Sequence, residues 1–183
     1  MTRLLIPDSG PLFSLAAGNL LPLLANFNVG ITDIVRDETV NKGQKANASK
    51  EAQSLLDYYN ANSANISTFP TQVGALIATQ RRLEPNYRLP PNLGELSIQS
   101  LLTELEITSP WASPVVLFED SWFLNNATSL TKPYVLLSTQ AFLEYAQEKK
   151  WIKSAARARE AIAKARPMAY KESVSVLSSG GPP

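Results

Sequence analysis

Residues 115–121 read Val115-Val116-Leu117-Phe118-Glu119-Asp120-Ser121. Four large apolar residues in a row, with no polar alternation, mark a strand buried on both faces, the habit of a parallel sheet covered by helices. The acids that follow mark a turn or helix start where the strand leaves the core. Working outward, Leu4-Leu5-Ile6 and Tyr134-Val135-Leu136-Leu137 repeat the signal, and Asn28-Val29-Gly30-Ile31 and Ile66–Phe69 read as two further strands. Helical signals lie between them. Pro11 suits the start of a helix running to Gly18, and a short helix follows over Leu20–Ala25. Thr32 or Asp33 caps a helix to about Val40. Ala52, Leu55, Leu56 and Tyr59 recur at helical spacing, Val73, Leu76 and Ile77 indicate a helix ending near Arg82, and Gly94–Glu106 turns Leu101, Leu102 and Leu105 inward. Thr139 caps a helix carrying Phe142, Leu143 and Tyr145 to Lys149-Lys150. Stretches 41–49, 60–65 and 84–92 read as connections, the last with three prolines. This alternation predicts an α/β domain with a parallel sheet and helices on both faces.

The chain divides at about residue 152. Residues 153–166 hold five basic residues and one acidic one among alanines, which reads as an exposed basic helix. Pro167 ends it, and the closing SSGGPP reads as a frayed terminus. Residues 1–152 then form the main domain, and residues 153–183 a basic helix with a flexible tail.

Composition removes whole classes of chemistry. Of 183 residues none is Cys and none is His. That excludes disulfides, thiolate zinc sites, Cys nucleophiles, Ser-His-Asp triads and imidazole ligands. A metal site in this chain must use oxygen donors, which suit hard cations such as Mg²⁺ or Mn²⁺. The formal net charge of +1 does not mark a nucleic-acid binder, so any basic surface must be local. No apolar stretch approaches the roughly 20 residues of a membrane helix. Asp8 interrupts the first apolar run too early for a signal peptide, so the expected location is the cytoplasm.

Several acids fall where an open parallel sheet gathers ligands, beyond the carboxyl ends of its strands. Asp8 follows the first strand, and Glu119 and Asp120 follow Phe118 directly. Each also has a plain reading as helix-capping chemistry. Glu38 lies on the same helical stripe as Ile34 and Val35, which places a carboxylate on an inward face; its plain reading is a border position paired with a Lys or Arg. Glu95 sits in a first helical turn, where the dipole alone favours an acid. Their joint placement is the signal, because converging carboxylates repel each other without a cation. A hydrolytic metal site needs no His. A doubly wound phosphatase-like enzyme would use Asp8 as nucleophile beside a Lys, and no companion pattern supports that. Arg81-Arg82, Arg88, Lys149-Lys150 and the 153–166 helix are candidate phosphate contacts or solvated charges. Trp122 is a candidate for base stacking or core packing, and Trp151 reads as packing.

Taken in order, IPDSGPLFSLA, ITDIVRDETV, LGELSI, VVLFEDSWF and LLSTQAFLEYAQEKKWI resemble PIN domains, in particular the bacterial VapC-type toxins of toxin–antitoxin pairs. The resemblance covers about residues 3–152. It implies a three-layer α/β/α fold with a parallel sheet of about five strands, and metal-dependent endonucleolytic cleavage of RNA. By position it implies Asp8, Glu95 and Asp120 as ligands of a first Mg²⁺ or Mn²⁺, and Glu38 as ligand of a second metal or holder of its water. Glu119 or Asp120 matches the acid after the fourth strand, so Glu119 stands as an alternate or supporting ligand. Thr139, or Ser138 beside it, matches the hydroxyl that often follows the fifth strand and hydrogen-bonds the acids, and Ser9 and Thr139 are expected to hydrogen-bond carboxylate oxygens. An antitoxin protein and a homodimer are the implied partners; a PIN module that binds RNA or protein without cleaving is the alternative. The sequence departs from minimal toxins in its longer Lys42–Pro91 segment, and in having Ser121-Trp122-Phe123 where a basic residue often follows the fourth acid.

Overall fold

A computed structural model describes residues 3–111, 113–127 and 134–167. In chain order the elements are β1 (Leu4–Pro7), α1 (Ser9–Ala17), β2 (Asn28–Thr32), α2 (Asp33–Glu38), α3 (Lys50–Asn62), β3 (Ile66–Phe69), α4 (Gln72–Leu83), α5 (Leu93–Thr108), β4 (Val115–Phe118), α6 (Trp122–Asn125), β5 (Val135–Ser138), α7 (Thr139–Glu148) and α8 (Ala155–Ala165), with short 3-10 segments at Leu21–Asn26, Val40–Gln44 and Ser63–Asn65. The strands form one sheet in the order β3-β2-β1-β4-β5, and every neighbouring pair is parallel. Helices cover it on both faces: α1 packs with α3 and α8, α8 with α7, while α2 and α4 gather around α5. The architecture is three-layer α/β/α.

The unbroken apolar runs have their expected cause. Leu5, Ile6, Val116, Leu117 and Phe118 are all fully buried, as central parallel strands require. Phe118, Phe123 and Phe142 are the largest fully buried side chains, each contributing roughly 1.5–3 kcal/mol by leaving water. Trp122 packs edge-on against Phe123, and Trp151 edge-on against Phe27 and Tyr145.

Four local readings change. The stretch 41–49 is not all loop, since Val40–Gln44 winds into a 3-10 segment that lies on α3. Gly43 permits this, because a Cβ there would stand 2.5 Å from the carbonyl oxygen of Ala52. Helix α3 continues to Asn62 through part of the stretch 60–65, since its polar last turn is mostly exposed and needs no apolar stripe. Helix α7 is capped by Ser138, whose hydroxyl accepts from the Ala141 amide, so Thr139 is the first helical residue and not the cap. The basic helix expected to be exposed is amphipathic: Ala155 and Ile162 are buried and join the main core. The tail read over SSGGPP lies outside the described residues. Among the described residues no helix is long and apolar enough to cross a membrane.

The strand order sets where a site can form. From β1 the chain steps to β2 and β3 on one side, whereas β4 and β5 lie on the other. The direction of winding reverses between β1 and β4, and the crevice beyond the carboxyl ends of two such strands is where open α/β sheets bind ligands. Asp8 follows β1 and Glu119-Asp120 follows β4, so both sit at that crevice.

Candidate metal centre

Asp8 holds the N-cap position of α1, yet its side chain makes no capping bond. The capping explanation for this acid therefore lapses. Its carboxylate is almost wholly buried and meets Glu95 from the first turn of α5 and Asp120 from the end of β4. One carboxylate oxygen from each of the three lies within 4.8 Å of the others. Octahedral Mg²⁺ with oxygens at about 2.1 Å places ligand atoms roughly 3–4 Å apart, so a slight inward rotation lets all three share one ion. The donor set is all oxygen, as a hard cation requires.

Glu38, at the end of α2, borders this cluster. Its Oε2 accepts a 2.5 Å hydrogen bond from the Ser9 hydroxyl, which fixes the direction of that carboxylate. Gly94 makes the crowding feasible: a Cβ there would stand 3.0 Å from Glu38 Oε2 and 3.1 Å from Asp8 Oδ1. The first turn of α5 is fixed by a buried relay. The Thr32 hydroxyl accepts from the Val35 amide and meets Ser97 Oγ at 2.7 Å, and Ser97 Oγ donates to the Gly94 carbonyl at 2.6 Å. Thr32 thus caps α2 and, through Ser97, ties that helix to the backbone carrying Glu95. This tie was missed in the sequence, because the two hydroxyls stand 65 residues apart.

The electrostatics follow from burial. Burial first, then the charges of Glu95, Asp120 and Glu38, hold the Asp8 acid well above the usual carboxylate range, with the Ser9 backbone opposing. Burial likewise pushes Glu95 up to about 7, reinforced by a proton-sharing hydrogen bond with Asp120 and by the charges of Asp120 and Glu38. Without a cation the cluster therefore keeps protons at neutral pH that isolated carboxylates would release.

Glu119 takes the other side of the strand end. Its Oε2 stands 3.6 Å from Arg166 Nη1, and it is turned toward α1 rather than into the three-acid group. Burial raises its acid, against the opposing pull of Ser14, Arg166 and Thr139. Thr139 lies on the Glu119 side and not in the three-acid group, but its hydroxyl and Glu119 Oε1 are both buried without a hydrogen-bond partner among the described residues, so the carboxylate hydrogen bond expected of Thr139 is not made. Arg166 was legible in the sequence only as one of five similar cations. In the fold its Nη1 donates to the Gly10 carbonyl at 2.9 Å and to Ser14 Oγ at 2.6 Å, its guanidinium lies over the Phe13 ring, and it lines the same 350 Å³ cavity as Asp8, Glu95 and Asp120. Arg166→Ala is expected to cost about 2–4 kcal/mol, because two hydrogen bonds and a largely buried ion pair go together. Glu119→Gln is expected to cost about 1 kcal/mol or less, since the burial of its charge was itself unfavourable. Urea midpoints compare the two; equal losses would mean that the ion pair alone holds α8 to α1.

Comparisons with family models, with curated proteins and with solved structures each return no match. The reading of the site accordingly rests on its residues.

Proposed function

We propose that this chain is an Mg²⁺- or Mn²⁺-dependent endoribonuclease that hydrolyses RNA phosphodiester bonds. The observation that carries the reading is the meeting of Asp8, Glu95 and Asp120, with donor atoms within 4.8 Å, in the crevice between β1 and β4. Carboxylates crowded together under burial, with the Asp8 and Glu95 acids pushed upward, form a poor structural feature and a good metal seat. What a divalent ion supplies there, when bound, is Lewis-acid charge for a phosphoryl oxygen and a lowered pKa for coordinated water. The residues have separable tasks. Asp8, Glu95 and Asp120 would hold the ion, and Glu38, oriented by Ser9, would accept a hydrogen bond from water or take part in a second metal site. Arg166 presents the positive charge on the cavity wall that a phosphodiester needs. No imidazole is required, in keeping with a chain that has none.

The resemblance to VapC-type PIN proteins favours RNA as the polymer, and extends the proposal to a toxin restrained by an antitoxin and to a homodimer. The test is cleavage of a labelled single-stranded RNA pool by the purified chain in Mn²⁺, in EDTA, and with Asp8→Asn in Mn²⁺. Cutting is expected in the first condition alone. A folded protein that cuts in none of them would be a binding module, and cutting by Asp8→Asn at the normal rate would remove Asp8 from the site.

A further inference from the structure

Beside the acidic cavity lies a second one of about 440 Å³, whose lining includes Lys42, Lys45, Arg81 and Leu89. The two cavities share Glu38 and Leu93 as wall residues, so the second opens beside the three-acid cluster. Its cations come from separate parts of the fold: Lys42 from the 3-10 segment Val40–Gln44, Lys45 from the turn after it, and Arg81 from α4. All three are exposed. Among the described residues none of them forms a salt bridge. Two acids line the same groove, Asp37, which accepts from the Asn41 side-chain amide, and Glu38, which accepts from Ser9 and also borders the three-acid cavity. Three exposed cations thus stand against two carboxylates around one groove, and Glu38 is shared with the acidic cavity, which leaves a positive excess on the groove's outer side that a net charge of +1 does not reveal.

The floor of the groove is apolar. Ile34, Ile77 and Leu93 are buried together in a small cluster apart from the main core, and Leu89 is 41% exposed beside them. Cations at the rim with aliphatic side chains below suit a polymer that offers phosphates and unstacked bases at once. A duplex keeps its base faces stacked inside, whereas a single strand exposes them.

We infer that the groove of Lys42, Lys45, Arg81 and Leu89 is a track for single-stranded RNA, which grips backbone phosphates next to the acidic cluster and leads the strand into it. The inference rests on the nuclease reading for its direction, and its test separates the two. The full chain and the exposed-site triple variant Lys42→Ala/Lys45→Ala/Arg81→Ala are compared by two measurements. One is the affinity for a short fluorescent single-stranded RNA, in Ca²⁺, over a range of salt concentrations. The other is hydrolysis of bis(p-nitrophenyl) phosphate in Mn²⁺, a diester too small to reach the groove from the acids.

The triple variant is expected to bind RNA at least about tenfold more weakly and to lose about 2 from the slope of log affinity against log salt, since each phosphate contact on a single strand contributes about 0.7. Its hydrolysis of the small diester is expected to match that of the unaltered chain. Unchanged RNA affinity and slope would overturn the track, whether or not the small diester is cut. A duplex of the same sequence bound as tightly as the single strand would overturn the single-strand assignment. If the unaltered chain fails to cut the diester and the triple variant still loses RNA affinity, the nuclease reading falls and the track stands.

Discussion

Asp120→Asn is expected to reduce metal-dependent cleavage at least about 100-fold, whereas Glu119→Gln should retain most of it. The two acids are adjacent, similar in chemistry and both close to the cavity, so the contrast is a demanding one. It follows from the end of β4. Successive residues leaving an extended strand project to opposite sides, and here one side holds Asp8 and Glu95 while the other holds α1 and Arg166. Asp120 gives one carboxylate oxygen to the three-acid group, and its Oδ1 accepts from the Trp122 amide at 2.8 Å. That bond fixes the side chain against the first turn of α6. An amide in place of the carboxylate removes a full negative charge from a site where the charge of a bound metal would dominate. Changing a residue that only orients a ligand typically costs 10–100-fold, and losing a ligand should exceed that range.

Glu119→Gln preserves shape and hydrogen-bonding capacity and removes a charge that burial already disfavours. Its effect should therefore be small on cleavage and confined to the α1–α8 contact. The comparison is made by single-turnover cleavage at saturating Mn²⁺, with circular dichroism to establish that both variants fold. Equal losses in the two variants would mean that the metal draws Glu119 away from Arg166, and that the turn after β4 rearranges on binding.

What the sequence discloses and what it withholds divide along one line, the range of the interaction. Val115–Phe118 and Leu4–Ile6 are readable as central strands because burial on both faces demands an unbroken apolar run, a property of adjacent residues. The acids after β1 and β4 are readable as candidates because strand ends in an open parallel sheet converge by topology. The helical stripe of Ile34 and Val35, both buried, likewise brings Glu38 inward. The choice between Glu119 and Asp120 is not local. It depends on which side of β4 receives α8, and α8 is placed by Ile162 entering the core. Arg166 is withheld for the same reason, since Lys153, Arg157, Arg159 and Lys164 belong to the same basic stretch and only docking separates them. Thr32 and Ser97 are ordinary polar residues until the fold joins them. Thr139 shows the limit from the other direction: one residue along a strand-to-helix junction moves a hydroxyl from cap to first helical turn, and Ser138 holds the capping bond.

Without metal, the protein is expected to melt at progressively lower temperature as pH rises from about 5 to about 8, and saturating Mn²⁺ should reverse that trend. Glu95 has an acid near 7 in the fold against an ordinary value of 4.5, and Asp8 and Glu119 are shifted in the same direction. Between the unfolded and folded values, the folded protein binds more protons than the unfolded chain, so stability falls as pH increases. For Glu95 the stabilisation is fully present below about 4.5 and is lost as pH passes through about 7; the Asp8 shift adds to the loss. A bound cation takes over the role of those protons. At a hundredfold excess over Kd it adds about 2.7 kcal/mol, which for a chain of this size is roughly 5–10 °C in melting temperature. The gain should be largest near pH 8 and should shrink toward pH 5, where protons compete for the same oxygens. Asp8→Asn tests the cause as well as the trend, because it removes one repelling charge and one ligand together. Its metal-free form should melt above the unaltered protein at about pH 8, and Mn²⁺ should raise it little further. A metal-free melting temperature that climbs with pH, or an Mn²⁺ shift of the same size at both pH values, would show that these carboxylates titrate independently and form no common site.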